Sequence, residues 1–251
     1  MGKPRITPKA TELLNVIGTF GGYITRQMVQ DYFGVSLQFA NRLLIELYDD
    51  KLLQCLCTYP RVFQITSRGC AFIARKNSYM CRKHSIYTIC RKLTAAHFLA
   101  RQFKPDTLNH LLGFSNDRIA YLRGLEVDDT LIPHKTNKGI AVLQIEEPLI
   151  IPPSLLAPDG GICVVHVDQL ELPISTQLRT TVGRYAPLIR SKCIPVNFLS
   201  AAVSRQRAKH YELEYEKIMS RELIKPKFQS VFNNFSYEHV AKKLEIYNDY
   251  I

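Results

Sequence analysis

Apolar residues recur every three or four positions through the first fifty residues, and this spacing predicts three successive helices. Thr7 followed by Pro8 begins the first helix, because threonine caps a helix and proline fits its first position. Thr25 and Ser36 are the expected caps of the second and third helices. The apolar stripe expected on the third helix consists of Phe39, Leu43, Leu44 and Leu47.

Two short apolar runs, LLQCLC and RVFQIT, follow the third helix and flank Thr58-Tyr59-Pro60. Runs of this length around turn residues predict a β-hairpin, with the proline confined to its turn. Three helices followed by a hairpin are the element order of a winged helix-turn-helix. We assign this DNA-binding fold to residues 1–75.

Positive charge is concentrated in the N-terminal part of the chain. The whole sequence has a formal net charge of +11. Residues 1–104 contain 16 Lys and Arg against 5 Asp and Glu, whereas the remaining 147 residues contain 17 of each. A polyanion such as DNA is therefore expected to bind the N-terminal part. The alternative is a basic domain whose charge serves only solubility.

The third helix carries the polar side chains that suit base recognition. A helix about 12 Å wide fits the major groove of duplex DNA, where Gln and Asn pair with adenine and Arg pairs with guanine or phosphate. The candidate DNA-binding residues of the helices and the hairpin are Arg26, Gln27, Ser36, Gln38, Asn41, Arg42, Arg61 and Arg68. Winged helices also serve as protein-interaction modules, so a domain that never touches DNA is an open alternative.

Residues 76–104 form a basic segment with a helical pattern from Ser85 onward. Its candidate DNA-binding residues are Arg82, Lys83, Arg91 and Lys92. This helical connector either extends the phosphate-contacting surface or links two domains with a solvated basic face. His84 and His97 are expected to serve packing or capping.

Strand and helix patterns alternate through the third segment, residues 105–251. GICVVHVDQLEL predicts a strand, STQLRTTVGRYAPLIRSK a helix broken before Pro187, CIPVNFLS a buried strand, and SRQRAKHYELEYEKIM an amphipathic helix. Strand, helix and strand in this order predict an α/β core with a right-handed crossover. A last helix is expected to start at Ser236.

A predicted winged helix, a basic connector, Pro158-Asp159, a strand ending in His-Val-Asp, and a helix ending in Arg184-Tyr185 resemble the plasmid replication-relaxation family. The chain is also similar to relaxases of the MobC class, whose catalytic domain has the PD-(D/E)xK restriction-endonuclease-like fold. The resemblance covers roughly residues 5–215. The expected fold class is therefore α+β, with a winged helix-turn-helix followed by an α/β restriction-endonuclease-like domain.

The resemblance implies a metal site, which this sequence matches only in part. Asp159 stands at the first acidic position and Asp168 at the second, and together they are the candidate Mg²⁺ ligands. His166 replaces the usual glutamate, and Thr181 stands near the position of the usual lysine. Arg179 and Arg184 lie close by and can stabilise charge, but arginine is a poor general base. The alternative for Asp168 is a strand-end carboxylate that pairs with Arg179 or Arg184.

Two functions follow from these patterns. The preferred hypothesis is a double-stranded DNA-binding protein of a mobile genetic element, acting at an origin in plasmid or integrative-element mobilisation or replication. Its nuclease-like domain would then be inert, and DNA binding would require no cofactor. The alternative is a Mg²⁺-dependent DNA relaxase or nickase that uses Asp159 and Asp168. Candidate protein partners are a second copy of the chain and relaxosome or replication proteins.

The seven cysteines form no CxxC pair, which favours reduced thiols in a bacterial cytoplasm. No apolar run approaches the roughly 20 residues needed to span a bilayer, so we expect no membrane partner.

Overall fold

The computed structural model describes residues 6–58, 61–75, 79–137, 140–143, 145–152, 156–157, 160–220, 222–223 and 225–232. The chain has an α+β fold, so the predicted mixture of helices and sheets is confirmed. It divides into two compact units, Met1–Leu108 and Asn109–Asn234. The helix expected from Ser236 lies outside the described residues.

Five α-helices form most of the described part of the first unit: α1 (Pro8–Thr19), α2 (Arg26–Phe33), α3 (Leu37–Asp49), α4 (Ser67–Phe72) and α5 (Ile86–Gln102). Each begins after a serine or threonine whose hydroxyl accepts a backbone N–H of the first turn, as is usual for helix caps. These caps are Thr7, Thr25, Ser36, Thr66 and Ser85. The predicted caps of the first three helices are therefore confirmed.

A three-stranded antiparallel sheet completes the first unit. Its strands are β1 (Tyr23–Thr25), β2 (Leu53–Thr58) and β3 (Arg61–Ile65), in the order β1-β3-β2. The hairpin β2-β3 occupies the two runs that the sequence pattern indicated. Strand β1 was not anticipated, because three residues between two helices give no periodic signal. Its Tyr23 and Ile24 are nevertheless fully buried.

Helix α5 packs against α2 and β1 within the first unit. Nine of its 17 residues are buried, among them Leu93 and Phe98. The basic connector is thus a helix with an extensive buried face. On α3 the buried stripe contains Ala40 rather than Phe39, which is partly buried beside it.

The second unit contains a five-stranded mixed sheet in the order β10-β9-β8-β7-β4. Strands β8, β9 and β10 are parallel, β7 is antiparallel to β8, and β4 is antiparallel to β7. A separate hairpin is formed by β5 and β6. The bounds are β4 (Leu111–Leu112), α6 (Ser115–Gly124), β5 (His134–Asn137), β6 (Ile140–Leu143), β7 (Leu149–Ile150), β8 (Ile162–Val167), α7 (Ile174–Ser191), β9 (Val196–Ala202), α8 (Arg205–Met219) and β10 (Phe228–Phe232).

Helices α7 and α8 connect the three parallel strands and pack against each other. Their buried side chains share one core cluster with alternate residues of β8 and β9, including Ile162, Val164 and Phe198. The prediction that the first of these helices breaks before Pro187 was wrong, because α7 continues through it to Ser191. Leu188 and Ile189, beyond the proline, are buried. Their burial offsets the cost of about 3 kcal/mol that an internal proline imposes on a helix.

Candidate nucleic-acid interface

The first half of α3 presents polar and basic side chains to solvent. Gln38 and Arg42 are exposed, and Asn41, one turn after Gln38, is partly buried. The Arg42 guanidinium carbon lies 4.7 Å from the centre of the Phe39 ring, so the two side chains form a cation–π contact. No described carboxylate forms an ion pair with Arg42. A cation held without a counter-ion is available to a polyanion.

The end of the hairpin meets this half of α3. Arg61, the first residue of β3, donates a hydrogen bond from Nη1 to Oδ1 of Asn41 at 3.2 Å. Both side chains are thereby placed beside the N-terminal half of the helix. We call the group Ser36, Gln38, Asn41, Arg42 and Arg61 the α3 face.

The acidic residues of α3 stand away from its N-terminal half. Its first turn contains none, and Glu46, Asp49 and Asp50 follow at its C-terminal end. Glu46 is engaged by Thr7, whose backbone N–H and hydroxyl both donate to its carboxylate. The N-terminal end of a helix also carries the positive end of its dipole. Charge along α3 therefore favours an anion at the α3 face.

The candidate residues on α2 and α4 have mixed surroundings. Arg26 is exposed at the start of α2, whereas Arg68 is partly buried on α4. Gln27 donates its amide hydrogens to Gln30 at 2.9 Å and to Asp31 at 3.0 Å. Its donors are therefore engaged within α2, which weakens the case for a contact with phosphate.

The basic residues before and at the start of α5 differ in exposure and in their contacts. Arg82 and Lys83 are exposed, and Arg91 is partly buried. Lys92 instead donates from Nζ to the Gly21 carbonyl at 3.3 Å and lies 5.0 Å from the centre of the Tyr79 ring. Burial, followed by the charge of Arg91, lowers the pKa of Lys92 to about 8. Lys92 thus holds α5 against the loop at Gly21, and its contacts argue against the predicted role in phosphate binding.

Both histidines of this segment pack inside the unit, as the packing hypothesis proposed. The Tyr23 hydroxyl and His84 Nδ1 are 2.5 Å apart. Burial, and next the charge of Lys92, lowers the pKa of His84 to about 4. Burial is also the largest cause that lowers the pKa of His97 to about 4. Both imidazoles are therefore neutral at physiological pH.

In the second unit Asp168 is enclosed by donors from α8 and from the end of β9. Its carboxylate accepts two hydrogen bonds from Arg207, at 2.7 and 2.6 Å, and one from the Tyr211 hydroxyl at 2.8 Å. The Val203 backbone N–H adds a fourth at 3.3 Å. Asp168 is fully buried, and its partner is Arg207 rather than Arg179 or Arg184. Occupied in this way, the carboxylate ties β8 to α8 instead of facing a metal.

His166 belongs to the same buried network. Its Nδ1 lies 3.0 Å from the Thr181 hydroxyl, and its Nε2 lies 3.1 Å from Gln177 Oε1 and 3.3 Å from the Tyr211 hydroxyl. Thr181, near the expected lysine position, therefore binds His166. A buried polar cluster with its members hydrogen-bonded fixes the packing of α7 and α8 on β8.

Two of the other predicted catalytic residues, Arg179 and Arg184, lie on α7. Asp159 lies outside the described residues. Arg179 is exposed on α7, whereas Arg184 is partly buried and pairs with Glu147 and with Glu146, the latter at 3.6 Å. Among the described residues no group of three or more His, Cys, Asp or Glu could hold a metal ion. Arg184 thus forms structural ion pairs, and Arg179 is exposed to solvent.

Sequence reasoning missed Arg207, Tyr211 and Gln177, which complete the network around Asp168 and His166. All three lie on helices that follow β8, and Tyr211 is one turn after Arg207. The i, i+4 spacing of Arg207 and Tyr211, which places both on one face of the predicted amphipathic helix, is a signal that could have drawn attention to this pair.

No helix among the described residues is long and apolar enough to cross a membrane. No family model, curated protein or solved structure matches the chain.

Proposed function

We propose that this protein binds double-stranded DNA, with α3 in the major groove and the β2-β3 hairpin beside it. The observation that carries the proposal is the α3 face, where Arg42, Gln38 and the linked pair Asn41 and Arg61 stand together. In this interpretation the first unit is a winged helix. Gln38 and Arg42 read base edges, and Arg61 and Arg26 contact phosphates.

The charge distribution supports the same proposal. The entire net charge of +11 is accounted for by residues 1–104. Arg42 and Arg61 have no described carboxylate as an ion-pair partner. Binding by cations of this kind releases counter-ions from DNA and weakens steeply as salt increases.

A narrower proposal follows from the resemblance to plasmid replication-relaxation proteins. The bound site would be an origin of a mobile genetic element, and the protein would act there in mobilisation or replication. Candidate partners are a second copy of the chain, which palindromic sites would favour, and relaxosome or replication proteins.

The nickase alternative has less support. It needs Asp168 as a Mg²⁺ ligand, yet Arg207, Tyr211 and the Val203 N–H occupy that carboxylate. Releasing the Asp168 carboxylate for Mg²⁺ would break its buried ion pair with Arg207. We therefore propose that the second unit acts as a scaffold, and that binding requires no metal.

The test is selection of preferred sites from a random duplex pool, followed by affinity measurements on the selected duplex. Arg42→Ala and Gln38→Ala should each weaken specific binding by about tenfold, since a good base contact is worth about 1–3 kcal/mol. The matched control is Lys209→Ala, an exposed cation on α8 of the second unit. Selection of no sequence, or equal affinity for all four proteins, would contradict the proposal.

A second arm addresses the alternative. Supercoiled plasmid carrying the selected site is incubated with protein and Mg²⁺ or Mn²⁺. Intact supercoil at concentrations that saturate the site supports a binding protein. Open circles that wild type produces with Mg²⁺ or Mn²⁺, but not without a divalent cation, would establish the nickase instead.

A further inference from the structure

A second basic surface lies at the N-terminal end of α5, and two tyrosines project from it. Tyr79 and Tyr87 are each 56% exposed, an unusual exposure for large aromatic side chains. Arg82 and Lys83 are exposed between them in sequence, and Arg91 lies one turn beyond Tyr87 on α5. We call Tyr79, Arg82, Lys83, Tyr87 and Arg91 the α5 patch.

Two of the three cations of the α5 patch, Arg82 and Arg91, lie near His84. The guanidinium of Arg82 lies 6.0 Å from the centre of the Tyr79 ring, and the His84 ring lies 4.3 Å from the same centre. Arg82 and Arg91 are both near enough to His84 to act on its charge. No described carboxylate forms an ion pair with any cation of the patch. The N-terminus of a 17-residue helix adds the positive end of its dipole.

The α5 patch and the α3 face meet β3 at different positions. Gln64 Nε2 donates to the backbone carbonyls of Met80 at 2.6 Å and of Arg82 at 2.8 Å, which anchors the patch to β3. Arg61, which belongs to the α3 face, is three residues earlier on the same strand. Three residues of strand span about 10 Å. The patch therefore has its own anchorage on β3, apart from the hydrogen bond that joins Arg61 to Asn41.

The combination of rings and cations indicates the ligand. In duplex DNA the faces of the bases are stacked on one another, so an exposed aromatic ring finds no base face to stack on. Single-stranded DNA exposes the base faces, and proteins bind it by aromatic stacking combined with a positively charged surface. We propose that the α5 patch binds single-stranded DNA, with bases on Tyr87 and Tyr79 and phosphates on Arg82, Lys83 and Arg91. This inference does not depend on duplex binding by the α3 face.

The experiment measures fluorescence anisotropy of a labelled oligothymidylate of about 20 nucleotides with the full chain. Tyr87→Ala should weaken binding by about tenfold, because a stacked base is lost, whereas Tyr87→Phe should keep nearly the full affinity. Lys83→Gln combined with Arg91→Gln leaves both rings in place and should weaken binding to a similar degree. This pair keeps the test decisive if Tyr87→Ala disturbs folding, as checked by circular dichroism.

Controls separate this surface from the α3 face. Arg42→Ala should bind the oligothymidylate as wild type does, and Tyr87→Ala should bind duplex DNA as wild type does. Failure of duplex binding alone would overturn the proposed function and leave the α5 patch standing. The inference is overturned if wild type does not bind the oligothymidylate, or if Tyr87→Ala binds it with unchanged affinity. It is also overturned if Tyr87→Phe loses as much as Tyr87→Ala, or if Tyr87→Ala weakens duplex and single strand equally.

Discussion

Arg61 at the start of β3 donates a hydrogen bond to Asn41 on α3, across 20 residues of sequence and at 3.2 Å. The bond is exposed, so its contribution to folding stability is small. Its consequence is geometric, since it fixes the hairpin against the helix that we propose to read DNA. A protein that uses both elements on one duplex would depend on this alignment.

Substitution of the pair should therefore reveal coupling in DNA affinity. We expect Arg61→Ala to weaken duplex binding about tenfold, through a lost phosphate contact, and Asn41→Ala to weaken it by a similar factor. Their double variant should lose less than the sum of the two, because each change already breaks the shared bond. The measurement is a double-mutant cycle on the selected duplex. Strict additivity would show that the bond has no part in binding.

Asp168 should behave as a structural residue. Asp168→Ala leaves Arg207, Tyr211 and the Val203 N–H without their acceptor, and we expect a loss of about 3 kcal/mol in the free energy of unfolding. Urea denaturation, with hydrogen exchange of α7 and α8 to locate the change, provides the measurement. The control is Asp129→Ala, which removes an exposed pair with Arg123 and should have little effect. Greater stability of Asp168→Ala without Mg²⁺, and stabilisation of wild type by Mg²⁺, would instead indicate a metal site.

The buried histidine of α5 should make the first unit sensitive to acid. The pKa of His97 falls from 6.5 to about 4 on folding, because burial and then Arg101 disfavour its charge, against a smaller opposite effect of Asp31. The unfolded chain therefore binds the extra proton between pH 6.5 and 4. The free energy of unfolding is therefore not lowered by His97 above pH 6.5. As the pH falls through this window, protonation of His97 in the unfolded chain lowers it by up to roughly 3 kcal/mol.

The check is the urea midpoint of the first unit between pH 7 and pH 4.5. His97→Gln should flatten its decline, and His210→Gln, at an exposed position of α8, should leave the wild-type slope. A His97→Gln slope equal to that of wild type would show that this histidine is not the source of the acid sensitivity.

Two adjacent glycines after α1 provide a matched test of close packing. Gly21 and Gly22 both have positive φ, of 97° and 91°, so alanine is strained at either position. A Cβ on Gly22 would also lie 2.6 Å from Met80 Cβ, whereas a Cβ on Gly21 would meet nothing within 4 Å. We expect Gly21→Ala to cost about 1–2 kcal/mol and Gly22→Ala clearly more, measured by thermal unfolding. Equal losses of stability in the two variants would mean that backbone strain alone, and not the contact with Met80, determines the effect.

Local signals in the sequence account well for the first unit. Hydroxyl caps at Thr7, Thr25 and Ser36 mark helix starts, because they act on backbone within the same turn. The sequence does not predict the short strand β1, because its pairing partner, β3, lies about 40 residues away and no local pattern indicates the pairing. The sequence likewise does not show that Lys92 makes contacts inside the unit while Arg82 and Lys83 are exposed, because the tertiary packing of α5 on β1 decides this difference.

For the candidate carboxylate site, the sequence predicts where the residues lie on the strand but not which side chains they contact. The sequence places His166 and Asp168 correctly near the end of a strand. Their partners come from α7 and α8, up to 45 residues later. The i, i+4 spacing of Arg207 and Tyr211 indicates a shared helix face, but it does not say which strand that face packs against. Asp168 can be assigned to Mg²⁺ from its neighbours in sequence, but its neighbours in space are an arginine and a tyrosine.

The central claim, that the α3 face binds duplex DNA through its cations, is tested most directly by the salt dependence of affinity. We would titrate one selected duplex with wild type, Arg42→Ala combined with Arg61→Ala, and Lys209→Ala over a series of salt concentrations. The double variant should bind more weakly, and its slope of log affinity against log salt should be shallower by about 1, since one phosphate contact, that of Arg61, is removed. Lys209→Ala should match wild type. Identical slopes and affinities for wild type and the double variant would contradict the account.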